Sequence, residues 1–376
     1  MKVNILYLED QLRVGGAERQ LIELLKGLDK NKYNPNVGIF STEGEFIDQV
    51  KEMGIPIYFF KRKWRWDLSP IFGLMGFIKE HKIEIIHTLS AMASFYGILA
   101  GRIANVITIN GSIRGGRKQK FHRWCMQKWP LRISDLIISN SVAGVHNFGL
   151  TGDDRVRVVY NGIDFKRFHL KIGTHEKKKE LGITSFSKAI GMVAGLRSAK
   201  DHKTFLEAAD LVLRTFPNVC FLVVGSGEER YQRVIKDFIR DKGGQQNIFL
   251  LGNRNDVEEI LSVLDISVLA SAKTQQEGNS NSVLESMAMS LPVVASDSGG
   301  NKEVIVEGVT GYVVPPENPH VLAEKIVELL DDKELAQKMG RAGRKRVEQV
   351  FGLDRMVGEV ENIYDSLLSV RQNGRR

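Results

Sequence analysis

Cysteine is nearly absent. Cys125 and Cys220 are the only two in 376 residues, too few for a disulfide framework and in keeping with a reducing compartment. No apolar run is long enough for a bilayer span, and the most apolar window, residues 89–101, stops well short of one. The opening strand-like run meets Glu9-Asp10 too soon for a signal peptide, so the sequence predicts a cytosolic protein. Histidines number eight, and they form no four-ligand zinc pattern with the two cysteines, so no metal is expected. A Gly-x-Ser-x-Gly elbow and a Gly-x-x-x-x-Gly-Lys-[Ser/Thr] loop are both missing, which counts against hydrolase and NTPase chemistry. Acidic residues are missing between Glu84 and Asp135, where Arg102, Arg114, Arg117, Lys118, Lys120, Arg123, Lys128 and Arg132 all fall.

Trp124 and Trp129 lie inside that basic run, and Lys61-Arg-Lys-Trp-Arg-Trp66 repeats its chemistry. Cations beside interfacial aromatics suit an anionic membrane at roughly 1 kcal/mol per Lys or Arg. Segments 61–66 and 114–132 are therefore expected to touch a membrane, which would make the protein peripheral on the cytoplasmic face of the plasma membrane. A solvated basic face and a single-strand nucleic-acid surface are the competing readings, and no nucleic acid is expected.

What is present is strand–helix alternation. Hydrophobic residues make up 43% of the chain and charged residues 26%, the balance of a soluble globular protein, and the length fits two domains. Strands are predicted over 3–8, 37–40, 57–60, 84–87, 106–109, 136–139 and 156–160. After the turn signal Asn161-Gly-Ile-Asp164 comes a charged stretch without apolar period, and the alternation then restarts. Strands are predicted again over 190–194, 219–224, 248–251, 266–270, 292–296 and 311–314. Two doubly wound parallel sheets follow, an α/β fold with a ligand cleft expected between the domains.

The segment with most chemistry is Glu277-Gly-Asn-Ser-Asn-Ser-Val-Leu-Glu285, between an apolar strand and an apolar helix beginning near Ser282. Free N–H groups at a helix start attract anions, and a carboxylate at either end accepts from hydroxyls. A molecule with phosphate in its middle and polyols at both ends, such as a nucleotide sugar, fits this pattern. Ser282-x-x-Glu285 also reads as a capping box. Gly15-Gly16 at the first strand-to-helix turn, and Gly225 in Val223-Val-Gly-Ser-Gly227, allow close backbone approach to an anion. Arg197 and Lys200 follow the first strand of the second half, where cations could neutralise a leaving diphosphate.

The ordered set resembles the retaining glycosyltransferases of family four. It runs through Gly15-Gly16-Ala-Glu, Asn161-Gly-Ile-Asp164, Lys200-Asp-His, Val224-Gly-Ser-Gly-Glu228, Leu251-Gly-Asn-Arg-Asn-Asp256, Ala270-Ser271, Glu277-x7-Glu285, Leu291-Pro-Val-Val-Ala-Ser and Gly299-Gly. The resemblance implies a GT-B fold of two Rossmann-like domains, 1–164 on the acceptor side and 165–353 on the donor side, with a helix in 354–376 returning to the first domain. It implies Glu277 on the donor sugar, Glu285 on the ribose, and Gly278, Asn279, Ser280, Asn281, Ser282 and Val283 around the diphosphate. Lys200 matches the family's phosphate-binding lysine. The family's arginine, five residues earlier, is replaced by Gly195, and Arg197 is the candidate substitute. Gly15, Gly16, Gly225 and Arg254 complete the donor set. Asn110 stands where many relatives carry a histidine beside the reacting sugar; His87 also ends a strand and reads as a packing residue or as a second candidate for that work. The implied activity is transfer from a UDP- or GDP-sugar to a saccharide or lipid-linked saccharide in envelope, lipopolysaccharide or capsule assembly, without metal or other cofactor. A UDP-sugar 2-epimerase of the same architecture and a non-catalytic basic binding protein are the alternatives.

Overall fold

Short runs of Val, Ile and Leu, apolar on both sides, form parallel strands because crossover helices cover both faces of such a sheet. The computed structural model describes residues 2–64, 67–117, 121–168, 174–241 and 246–373, without the side chains of residues 116, 117 and 121–126. Arg65, Trp66, Lys118 and Lys120 lie outside the described residues, as do the side chains of Arg117, Arg123 and Trp124. The chain divides into two units, Met1–Gly162 with Leu353–Arg376, and Ile163–Gly352.

The large sheet of the first unit has seven strands: β1 (Val3–Glu9), β2 (Tyr33–Ile39), β3 (Ile57–Phe59), β4 (Ile85–Thr88), β5 (Ile107–Ile113), β6 (Leu136–Ser139) and β7 (Val156–Val158). Their order is β3-β2-β1-β4-β5-β6-β7, all parallel. The winding reverses between β1 and β4, and Tyr7, His87 and Ile109 stand in register across β1, β4 and β5. β2 begins earlier than the apolar pattern implies and includes Pro35. Proline is tolerated there because β3 pairs with β2 only from Val37 onward, so no ladder bond is lost on that side.

Helix Leu353–Asn373 belongs to this unit. It buries Met356, Val357, Val360 and Tyr364 with Leu21, Leu24 and Leu25 of helix Gly16–Gly27. Gly27 makes that approach possible, since a Cβ there would lie 2.5 Å from Val357 Cγ2. At the core's centre the Tyr364 hydroxyl lies 2.7 Å from His87 Nδ1 and 3.0 Å from the Tyr7 hydroxyl. All three groups are buried, so each bond offsets the cost of removing a polar atom from water.

The second unit holds β8 (Lys188–Val193), β9 (Val219–Val224), β10 (Ile248–Gly252), β11 (Ile266–Leu269), β12 (Val293–Ser296) and β13 (Gly311–Val314). Their order is β10-β9-β8-β11-β12-β13, again parallel throughout. The winding reverses between β8 and β11, where ligands of open α/β sheets bind at the strands' carboxyl ends. Lys200 and Glu277 come from the chain that follows these two strands. Tyr364→Phe should lower the stability of the first unit by about 1–3 kcal/mol, because it leaves His87 Nδ1 without its partner. Urea denaturation measures the change.

Candidate functional site

The loop after β8 brings Lys200 to the loop after β11. Backbone bonds fix this approach: the Asp201 N–H donates to the Ala270 carbonyl at 3.0 Å, and Ala272 N–H to the Ala199 carbonyl at 3.1 Å. Asp201 also caps helix His202–Leu213, accepting from the Thr204 N–H at 3.1 Å. Lys200 Nζ then stands 2.7 Å from Glu277 Oε1, with side chains 13% and 12% exposed. The Ser271 hydroxyl donates to the same oxygen at 2.8 Å, and the Ser271 N–H donates to Ser296 Oγ at 3.1 Å.

Glu277 is also held through its backbone. The Gly300 N–H donates to the Glu277 carbonyl at 2.9 Å. Gly299 has φ +60°, and a Cβ there would lie 2.2 Å from that carbonyl oxygen, so only glycine fits. Ser271 and Gly299-Gly300 thus position the carboxylate, although the sequence carries them only as parts of a motif without a role.

Helix Asn281–Ala288 starts four residues after Glu277 with Ser280 as its cap. The capping box read at Ser282 and Glu285 does not form: Glu285 lies on the second turn, beyond reach of a box anchored at Ser280. Gly278, Asn279 and Ser280 are buried, while Asn281, Ser282 and Glu285 are half-buried. Val283 is 1% exposed, so its side chain is core and only its backbone can meet a ligand. The first described bond of the helix is Leu284 N–H to the Ser280 carbonyl, 3.1 Å, and a helix start of this kind directs N–H groups outward.

Arg197 is exposed and curls back over Gly195. A Cβ on Gly195 would lie 3.4 Å from Arg197 Nε and 3.6 Å from Nη2, so the guanidinium lies where a side chain at 195 would run. Gly225 has φ +141°, and a Cβ there would stand 2.2 Å from the Ala194 carbonyl oxygen. Its glycine identity is thus explained by the packing of the turn after β9 against the end of β8. Arg254 follows the edge strand β10, and its Nη2 pairs with Asp256 at 2.6 Å and Glu180 at 2.5 Å. Lys177 joins Asp256 at 2.7 Å, and these cations hold the Asp256 carboxyl well below the usual range. The structure therefore gathers Lys200, Glu277 and the 278–283 helix start, with Arg197 on the Lys200 loop, and places Arg254 in a separate ion network.

Two family descriptions match the sequence, "Glycosyltransferase Family 4" over residues 14–167 and "Glycosyl transferases group 1" over residues 174–346. The chain belongs to these glycosyltransferases. It is 24% identical to the UDP-Gal:alpha-D-GlcNAc-diphosphoundecaprenol alpha-1,3-galactosyltransferase of Escherichia coli, over 96% of this chain and 97% of that one. It is 24% identical to the capsular polysaccharide glycosyltransferase CapM of Staphylococcus aureus, over 90% and 91% of the two chains. Crystallised HepE of Anabaena in complex with UDP superposes with a TM-score of 0.86 at 22% identity, covering 97% of this chain and 100% of that one. The fold is GT-B, two Rossmann-like units with the C-terminal helix on the first.

In the first unit of this glycosyltransferase, Gly15 is the extended N-cap of helix Gly16–Gly27. A Cβ on it would lie 2.3 Å from Glu18 Oε2, so the Glu18 carboxylate folds back over the helix start. Asn110 is fully buried; its Oδ1 accepts from the Ser112 N–H at 3.1 Å and the Ser112 hydroxyl at 2.7 Å, and its Nδ2 is enclosed without a partner. His87 is 3% exposed, and burial, assisted by Arg114, pushes its pKa down to about 3. Arg114 corrects the reading of a membrane-facing basic run: its Nε is enclosed, and Glu9 and Glu18 supply the nearby negative charge. Arg102 is likewise paired, with Asp135 at 2.5 Å. Among the described residues no three His, Cys, Asp or Glu side chains gather as a metal site, and no helix is long and apolar enough to cross a membrane.

Glu9, at the carboxyl end of β1, is 2% exposed, and burial, with Asp10 and Glu18 adding to it, pushes its pKa up to about 8. A folded-state pKa above the unfolded value gives a contribution that is complete below about pH 4.5 and is lost as pH rises toward about 8. Glu9→Gln should therefore match the parent protein near pH 4.5 and exceed its stability at pH 8. Paired denaturation curves at the two pH values check this.

Proposed function

We propose that the protein is a retaining glycosyltransferase that uses a UDP-sugar and acts on a saccharide or lipid-linked saccharide of the cell envelope. The observation carrying this reading is the Lys200–Glu277–Ser271 constellation, set beside the start of helix Asn281–Ala288. An ammonium has three N–H donors, so Lys200 can hold Glu277 and a donor phosphate together. In this reading Glu277 accepts from donor-sugar hydroxyls, Glu285 from the ribose, and N–H groups of residues 280–283 meet the diphosphate. Arg197, lying over Gly195, supplies the second cation. The bond between the anomeric carbon and the diphosphate oxygen breaks, a bond from that carbon to the acceptor oxygen forms on the same face, and the acceptor proton goes to the leaving phosphate. Lys200, Arg197 and the helix N–H groups stabilise the charge growing on that phosphate. No metal has a role in these steps.

Uracil as the donor's base is supported by the UDP complex of Anabaena HepE and by the UDP-Gal named for the Escherichia coli relative. A lipid-linked acceptor is supported by that relative's diphosphoundecaprenol substrate. The surface supports peripheral membrane contact as well. Trp64 is 62% exposed, Leu68 51% and Phe72 72%, next to exposed Lys61, Arg62 and Lys63. Trp129 and Arg132 are also exposed. Basic side chains around apolar anchors bind anionic lipid more strongly than either class alone.

Glu285→Ala should weaken UDP binding roughly tenfold, the loss of one hydrogen bond to a charged group. Lys200→Ala should lower kcat more than it raises the donor KM, because it acts on charge that develops in the transition state. Calorimetry and steady-state kinetics read the two effects, and proton NMR of the first-formed product reads the anomeric configuration. Unchanged constants in both variants, or an inverted product, would sink the assignment. Sedimentation with phosphatidylglycerol vesicles should exceed that with phosphatidylcholine vesicles, and Trp64→Ala with Phe72→Ala should reduce it.

A further inference from the structure

The motif Lys200-Asp-His ends on a histidine to which the donor chemistry gives no task. His202 opens helix His202–Leu213 and is 5% exposed. Its ring Nδ1 lies 3.1 Å from the Lys200 carbonyl oxygen, and its backbone N–H donates to the same oxygen at 3.0 Å. A carbonyl only accepts, so Nδ1 carries a hydrogen. Burial pushes the ring's pKa down and keeps it neutral, while the Lys200 and Ala194 carbonyls act in the opposite sense. Those carbonyls stand at the two ends of the loop that carries Arg197 and Lys200, so the imidazole meets the backbone at both. Asp201, between Lys200 and His202, has φ −86° and ψ 69°, the conformation of an inverse γ-turn. Such a turn has one backbone bond across it, and here the imidazole adds a second to the same acceptor.

We propose that His202 is the positioning residue of Lys200, fixing the turn from which the ammonium reaches Glu277. The peptide plane between Lys200 and Asp201 is gripped on both edges. Its N–H donates to the Ala270 carbonyl at 3.0 Å, and its C=O accepts the two bonds from His202. The Lys200 N–H is held as well, donating to the Arg197 carbonyl at 2.9 Å. From this turn Nζ reaches Glu277 Oε1 at 2.7 Å. A planar amide cannot rotate on one edge alone, so loss of the imidazole frees the plane about its remaining bonds. Folding by itself does not call for a histidine at this position. Nε2 is enclosed without a partner, a cost that an apolar side chain of similar size would avoid. What the apolar side chain lacks is the Nδ1–H donor. Placement of the cation matters to rate, because a displacement of about 1 Å can cost on the order of a hundredfold.

This assignment rests on the transferase reading, and the test separates the two. UDP release from UDP-glucose, UDP-galactose and UDP-N-acetylglucosamine, with water as acceptor, supplies the kinetics. His202→Leu should lower kcat about tenfold and move the donor KM less than about threefold. His202→Asn, which keeps an N–H donor on the same branch of the side chain, should return kcat to within about threefold of the unsubstituted protein. In a Lys200→Ala background His202→Leu should cost no further kcat, since a residue acting through Lys200 has nothing left to position. An equal loss in both backgrounds, an unchanged kcat in His202→Leu, or no recovery in His202→Asn overturns the proposal. Two NMR readouts need no turnover. The His202 imidazole of the unsubstituted protein, assigned by its loss in His202→Asn, should be the neutral Nδ1–H tautomer; the Nε2–H tautomer overturns the proposal even where His202→Leu does not fold. The Lys200 ammonium signal, assigned by its loss in Lys200→Ala, should disappear in His202→Leu and persist in His202→Asn, and its persistence in both overturns the proposal. Absence of UDP binding to the unsubstituted protein by calorimetry overturns the donor reading instead, and the NMR readouts still decide the role of His202.

Discussion

A parallel strand can join its neighbour only after a crossover, so every strand of such a sheet ends at the same edge. In both units that constraint collects the chain's chemistry there. Lys200, Glu277 and the start of helix Asn281–Ala288 lie beyond the carboxyl ends of β8 and β11, on either side of the point where the winding reverses. Glu9, His87 and Arg114 occupy the equivalent edge of the first sheet. Neither group is contiguous in sequence, and each depends on strand order for its assembly.

The partly buried pair of Lys200 and Glu277 shows how a candidate site is held in place. Desolvation of two charges is costly, and an attraction at 2.7 Å offsets it only with further hydrogen bonds. Ser271 supplies one to the carboxylate, and Gly300 fixes the backbone that carries it. The first unit shows the contrary case. Glu9 is buried with only the Asp10 N–H at 2.8 Å as its described hydrogen-bond donor, and the protein responds by raising the carboxyl's pKa rather than by pairing the charge.

The apolar runs marked every strand of the two large sheets to within a few residues, because both faces of a parallel sheet demand the same side chains. β2 and β5 were the furthest displaced: β5 runs four residues further, to Ile113, and Asn34 and Pro35 hide the start of β2, where only the missing β3 partner makes proline acceptable. Glu277 and Glu285 were legible as a pair from spacing. The cap of the helix between them was not, because Ser280 and Ser282 are equivalent candidates until the backbone turns. Charge was the least legible property. Arg114 looked like one more member of an exposed basic run, yet Glu9, over a hundred positions away in the chain, lies close enough to act on it.

Sequence alone determined the fold class, the two-unit organisation and the positions of the strands, because hydrophobic period and turn chemistry are local. The order of short motifs also singled out Lys200, Glu277 and Glu285 as candidates for one donor site, and the structure pairs the first two. Tertiary structure decided which carboxylate each cation meets. It placed Lys200 on Glu277, Arg254 on Asp256 and Glu180, and the Arg197 guanidinium over Gly195. Ion pairs and close backbone approaches depend on distances between segments far apart in the chain, and those distances exist only once the sheet order is set.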